Sequence, residues 1–168
     1  PPSARSFRSV HGTQASASPD RHFQDSRAVA AWVTQAEMAR YASRVTATMT
    51  AAEPADPMSD GAEMGPLSSA TAAETLQDQL ERAVAQGAEV AAGGERKDNY
   101  FSSTVLVGVT PENDAYREEF FGPVASVFRV GSEEEAIELA NDTPFGLGSY
   151  VFSDNPEQAL RVADGLDT

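Results

Sequence analysis

Residues 116–124 read YREEFFGPV: two adjacent carboxylates, Glu118 and Glu119, two phenylalanines, Phe120 and Phe121, and a Gly122-Pro123 break before an apolar run. A plain connector needs neither paired acids nor paired rings. Glycine opens backbone conformations closed to other residues and proline locks one dihedral, so the pair marks a turn. Behind it Val124 to Val130 reads as a strand. The stretch thus sets acids and rings at the mouth of a strand.

Working outward, the β-branched run Ser103 to Val109 reads as a second, buried strand, preceded by a short one at Glu89 to Ala92 and a Gly93-Gly94 turn. Thr71-Ala72-Ala73-Glu74 has capping-box spacing. It opens a helix with Leu76, Leu80, Ala83 and Val84 on one face and Gly87 as its stop. Before it, EPADPMSDGAEMGPLSS (53–69) has three prolines and two glycines in seventeen residues and is a long loop. Further back, AVAAWVTQ reads as a short strand, and Met38, Tyr41, Ala42, Val45 and Met49 recur at helical spacing.

On the C-terminal side Ser132 to Glu135 repeats the capping-box spacing ahead of Ala136, Ile137, Leu139 and Ala140, and Asn141-Asp142-Thr143-Pro144 ends that helix. Leu147 to Ser153 reads as another strand. Asn155-Pro156 then opens a last helix, with Leu160, Val162, Ala163 and Leu166 on its apolar side. Helices alternating with short apolar strands imply a single α/β domain, a largely parallel sheet with helices on both faces.

With 168 residues the chain fits one domain. The 26 acidic against 12 basic residues give a net charge of −14, dispersed rather than in blocks. That is a self-repelling surface and argues against nucleic acid, whose phosphates require clustered Lys and Arg. There is no cysteine, hence no disulfide, thiolate metal site or thiol nucleophile. No apolar run approaches membrane-span length and PPSARSFRSV lacks the centre of a secretory signal, so no membrane partner and a cytoplasmic location are expected. Residues 1–23, rich in serine and without periodicity, read as a flexible arm, leaving 24–168 as the folded part.

Glu119-Phe120-Phe121-Gly122-Pro123 resembles the Glu-x-Phe-Gly-Pro signature of the aldehyde dehydrogenase superfamily. Asp56-Pro57-Met58, Met64-Gly65-Pro66-Leu67, Gly93-Gly94, Thr104-Val105-Leu106, Ala140-Asn141-Asp142-Thr143 and Phe145-Gly146-Leu147 follow the same family's order and nearly its spacing. Pro66-Leu67-Ser68-Ser69 and the run from Tyr116 to Val127 look most like the semialdehyde and aminoaldehyde branch. The resemblance implies the C-terminal part of a catalytic domain, without the Rossmann-like NAD(P) domain and the oligomerisation arm; the text stops at Leu166-Asp167-Thr168, where the family continues.

In that family a cysteine attacks the aldehyde, hydride passes to NAD(P), and a glutamate activates water. Ser26, in Phe23-Gln24-Asp25-Ser26, stands at the position the resemblance gives the cysteine; Ser16, in Gln14-Ala15-Ser16, is a second alignment. A serine hydroxyl needs an adjacent base where cysteine is already partly ionised. By the same resemblance Glu119 is the carboxylate that accepts hydrogen bonds from the nicotinamide ribose, and Phe121 the ring beside the nicotinamide.

The expectation is therefore a truncated relative that does not by itself oxidise aldehydes, with no cofactor bound and NAD(P) only by resemblance. Two alternatives stand beside it. One is a non-redox enzyme using Glu118, Glu119, His22 and Asp25 for acid/base work on a small carbonyl or carboxylate compound. The other is a non-catalytic module that covers its exposed face as a homodimer or with a partner subunit. His11 and His22 are isolated, and no second ligand cluster accompanies Asp20, His22 and Asp25, so no metal is expected.

Overall fold

The computed structural model describes residues 29–31, 35–146 and 148–167, with side chains from Ser43 onward. Strand β1 (Val29–Ala31) leads into helix α1 (Gln35–Ala51), and the long loop follows without a helix or strand of its own. Helix α2 (Ala70–Ala85) feeds β2 (Glu89–Ala92), a small hairpin of β3 (Arg96–Lys97) and β4 (Tyr100–Phe101), and then β5 (Thr104–Val107). A 3₁₀ turn at Asp114–Tyr116 precedes β6 (Val124–Arg129), and α3 (Glu133–Asn141) and α4 (Pro156–Gly165) close the described chain.

The sheet runs β1-β6-β5-β2. Its β1-β6 and β6-β5 pairs are parallel and only the β2 edge is antiparallel, so the parallel expectation holds with one exception. In β5 the consecutive residues Thr104, Val105 and Leu106 are buried, as are Val124, Ala125, Ser126 and Val127 in β6. Successive strand residues point to opposite faces, so both faces of these central strands are covered. Leu76, Leu80 and Ala83 of α2 join Phe101, Leu106, Phe120 and Val124 in one core.

Local chemistry explains most boundaries. Gly87, at φ +102, follows α2 in the left-handed conformation that ends helices. Ser132 caps α3 by accepting from the Glu135 N–H at 3.1 Å, and Asn155 caps α4 ahead of Pro156. Helix α2 starts earlier than its capping-box spacing indicates. Ser69, not Thr71, is the cap, accepting from the Ala72 N–H at 3.0 Å, while Thr71 lies inside the helix. Both hydroxyls suit the role; starting at Ala70 adds the turn closed by Ala73 N–H donating to the Ser69 carbonyl at 3.2 Å.

One expected strand is absent. Residues 148–153 carry neither helix nor strand, and no strand among the described residues forms a ladder with them. Tyr150 and Phe152 stand 84% and 90% exposed there, their rings stacked at 6.5 Å. Val162 and Ala163 of α4 and the following Leu166 are half-buried, while Leu160, expected with them, is exposed. The Ser-rich arm lies outside the described residues.

Candidate functional site: the turn before β6

The segment from Asn113 to Pro123 carries the candidate site, and three anchors hold it. At its start Asn113 is buried, donates from Nδ2 to the Ala83 carbonyl at 2.8 Å, and accepts from the Ala115 N–H at 3.0 Å. At its end the Pro123 carbonyl accepts from the Thr104 N–H at 2.8 Å, where β6 joins β5 with Val124 opposite Thr104. Between them Phe120, only 6% exposed, is packed in the core.

Burying Phe120 turns its neighbour outward. Phe121 is 73% exposed, an uncommon position for so large an apolar ring on a well-anchored turn. Glu119 is half-buried; its carbonyl accepts from Gln79 Nε2 at 3.2 Å, and its carboxylate has no ion pair or hydrogen bond among the described residues. Among the described residues a carboxylate without a partner therefore stands two residues from an exposed ring.

Glu118 has a different fate. Both its oxygens accept from Arg82 Nη2, at 2.6 and 2.8 Å. Chiefly through this hydrogen bond, Glu118 pushes the Arg82 guanidinium further up from its already basic range. Arg82 Nε also lies 3.6 Å from Asp114, which Gln86 engages twice: Nε2 donates to Oδ2 at 3.0 Å and Oε1 accepts from the Asp114 N–H at 2.7 Å. A shallow cleft of about 280 Å³ beside these groups is lined by Pro111, Glu112, Asn113, Asp114, Arg117 and Glu118, and does not include Glu119 or Phe121.

Behind the turn, Tyr116 packs edge-on to Phe128 at 5.8 Å and donates from its hydroxyl to Asp142 at 3.1 Å. Arg117 pairs with the same carboxylate at 2.8 Å. Burial first, and then the Asp142 carboxylate, push the Tyr116 phenol above its usual range.

Of the residues expected to do chemistry, the structure places Glu118, Glu119 and Phe121 on one segment. Ser26, His22, Asp25, His11 and Ser16 lie outside the described residues. Gln79, Arg82 and Gln86 escaped the sequence reading. Their signal was a polar stripe at helical spacing beside the apolar stripe of α2, a pattern equally expected of a solvated face.

The segment's chemistry suits the nicotinamide-ribose half of a dinucleotide. Two acceptor oxygens without a partner among the described residues could take a pair of ribose hydroxyls, and an exposed ring offers an apolar surface to a flat heterocycle.

Comparison with known proteins gives this arrangement a lineage. Residues 26–168 match the aldehyde dehydrogenase family. The chain is 47% identical over 131 residues to a succinate-semialdehyde dehydrogenase [NADP(+)] of Deinococcus radiodurans, covering 76% of this chain and 28% of that protein. It is 39% identical over 117 residues to the peroxisomal aminoaldehyde dehydrogenase 1 of Malus domestica, covering 67% of this chain and 23% of that protein. Among solved structures, the succinic semialdehyde dehydrogenase of Streptococcus pyogenes in complex with NADP+ superposes with a TM-score of 0.77 at 38% identity, over 83% of this chain and 31% of that one. The chain thus spans about three-tenths of the length of such relatives. The match over residues 26–168, with the fold's agreement, establishes that the chain belongs to the aldehyde dehydrogenase family.

Proposed function

We propose that this chain is the cofactor-facing part of an NAD(P)-dependent dehydrogenase for short semialdehydes, and that its 168 residues do not by themselves oxidise an aldehyde. The supporting observation is the anchored turn on which the Glu119 carboxylate, without a partner among the described residues, stands beside the exposed Phe121 ring. When bound, the cofactor supplies the hydride acceptor. The chain's own residues would bind and orient it: Glu119 would accept from the ribose hydroxyls and Phe121 would offer the nicotinamide an apolar surface, while the Pro123 carbonyl ties the turn to β5.

The semialdehyde class follows from relatives named for succinate semialdehyde, and a small carbonyl compound with a distal carboxylate is the expected ligand. Attack on it by the family's route requires a thiolate, and the sequence contains no cysteine. Purified chain incubated with NADP+ and succinic semialdehyde is expected to form no NADPH, while NADP+ shifts the backbone NMR signals of residues 119–122. Turnover by the chain alone would refute the first half, and signals unmoved at millimolar NADP+ the second.

Acid/base work by Glu118 gains no supporting observation, since Arg82 occupies both its oxygens. A homodimeric, non-catalytic module has one in its favour: the exposed, stacked Tyr150 and Phe152. Sedimentation showing a dimer that Tyr150→Ser and Phe152→Ser dissolve would support it; a monomer would remove it.

A further inference from the structure

Helix α2 reads along the segment that leads to the turn, in antiparallel order. Gln86 meets Asp114, Arg82 meets Glu118, Gln79 meets the Glu119 carbonyl, and Leu76 lies against Gly122, where an added Cβ would overlap its Cδ2. Positions 76, 79, 82 and 86 follow one another at steps of three and four, so they share a helix face. A slip of one residue in the segment would take the Glu118 carboxylate from Arg82 and the Glu119 carbonyl from Gln79 together, and would pull Phe120 from the core. Only one seating satisfies every contact.

We infer that Arg82 and Gln79 are positioning residues for Glu119. Arg82 grips the side chain of the residue before it, and Gln79 grips its own carbonyl, so the direction in which the Glu119 carboxylate leaves the surface is set by α2. Neither residue touches the ligand. The inference rests on reading Glu119 as the ribose acceptor, but the grip itself is measurable without any ligand.

The test uses the whole chain as Arg82→Glu, Glu118→Arg, the double exchange, and Gln79→Ala. Arg161→Glu serves as control, since it breaks an ion pair between α3 and α4 instead. Two quantities are read: amide exchange at residues 119–122 in the free chain, and the NMR-titrated dissociation constant for nicotinamide mononucleotide, which carries the ribose but no adenosine. Arg82→Glu is expected to speed exchange there and to weaken mononucleotide binding, each about tenfold. The double exchange is expected to restore both, and Arg161→Glu to change neither. A merely structural loss of stability would move exchange throughout α2 and would not be rescued by reversing the pair.

Unchanged exchange at 119–122 in both Arg82→Glu and Gln79→Ala overturns the inference. So does loosened exchange with undiminished affinity in a chain where Glu119→Gln does weaken binding. If Glu119→Gln leaves affinity unaltered, the ribose reading falls and the exchange data alone decide the grip. Should Arg82→Glu not fold, Gln79→Ala carries the same criteria.

Discussion

Gly93 and Gly87 both hold positive φ angles, +73 and +102, yet their surroundings differ. An added Cβ at Gly93 would overlap the Ser103 carbonyl oxygen, whereas at Gly87 it would meet nothing within 4 Å. Gly87→Ala should therefore show backbone strain alone, about 1 kcal/mol, and Gly93→Ala that strain plus a backbone displacement, about 3 kcal/mol in all, read as the difference between their urea unfolding midpoints. Equal losses would contradict the close approach. Both glycines were legible as turn residues, but only packing distinguishes them. Tyr116 is a second case in which a neighbour sets the outcome. Its phenol is held neutral by burial and by Asp142, so the stability it contributes is present below the ordinary tyrosine range and is lost as pH rises through its raised value. Absorbance titration of phenolate formation is expected to show one late component that Tyr116→Phe removes. Nothing in the sequence pairs Tyr116 with Asp142, 26 positions away.

At the scale of elements, amphipathic spacing located the four helices among the described residues, because apolar residues recurring every three or four positions mark a helix in the text itself. The strand expected at 147–153 does not form over 148–153 for the complementary reason: a helix satisfies its own backbone, whereas a strand exists only with a neighbour to bond. The small β3-β4 hairpin escaped notice since two-residue strands carry no period. Helices α3 and α4 contain no fully buried residue and depend on polar links. Arg161 meets both Glu133 oxygens at 3.1 Å, and Asn141 donates to the Gly165 carbonyl at 2.8 Å. The Arg161 hydrogen bond, helped by Gln158, holds the Glu133 carboxyl below its usual range against a smaller opposing effect of burial. Its contribution is complete above the ordinary glutamate range and disappears as pH falls through the lowered value. The Arg161 Nε signal should then shift on acidification with a midpoint below that of a free glutamate, and Glu133→Gln should abolish the shift. A midpoint in the ordinary range would show the pair to be screened away in solution.

Across the whole molecule, kinship was legible from short motifs scattered between residues 56 and 147, taken together in their order and spacing. The geometry of the candidate site was half legible. Glu119 and Phe121 stood out as a peculiar pair, yet the alternation of Phe120 inward and Phe121 outward, and the hold of α2 on the segment, arise from contacts some forty residues apart along the chain. The central proposal is that this turn presents the Glu119 carboxylate, without a partner among the described residues, to a nicotinamide ribose. Its most direct test compares the chain with its Glu119→Gln form, both titrated with nicotinamide mononucleotide at neutral pH. Losing a charge-assisted hydrogen bond at a half-exposed position is expected to weaken binding about tenfold, with the signals of Phe121 and Gly122 still reporting contact. Equal dissociation constants for the two forms would contradict the account.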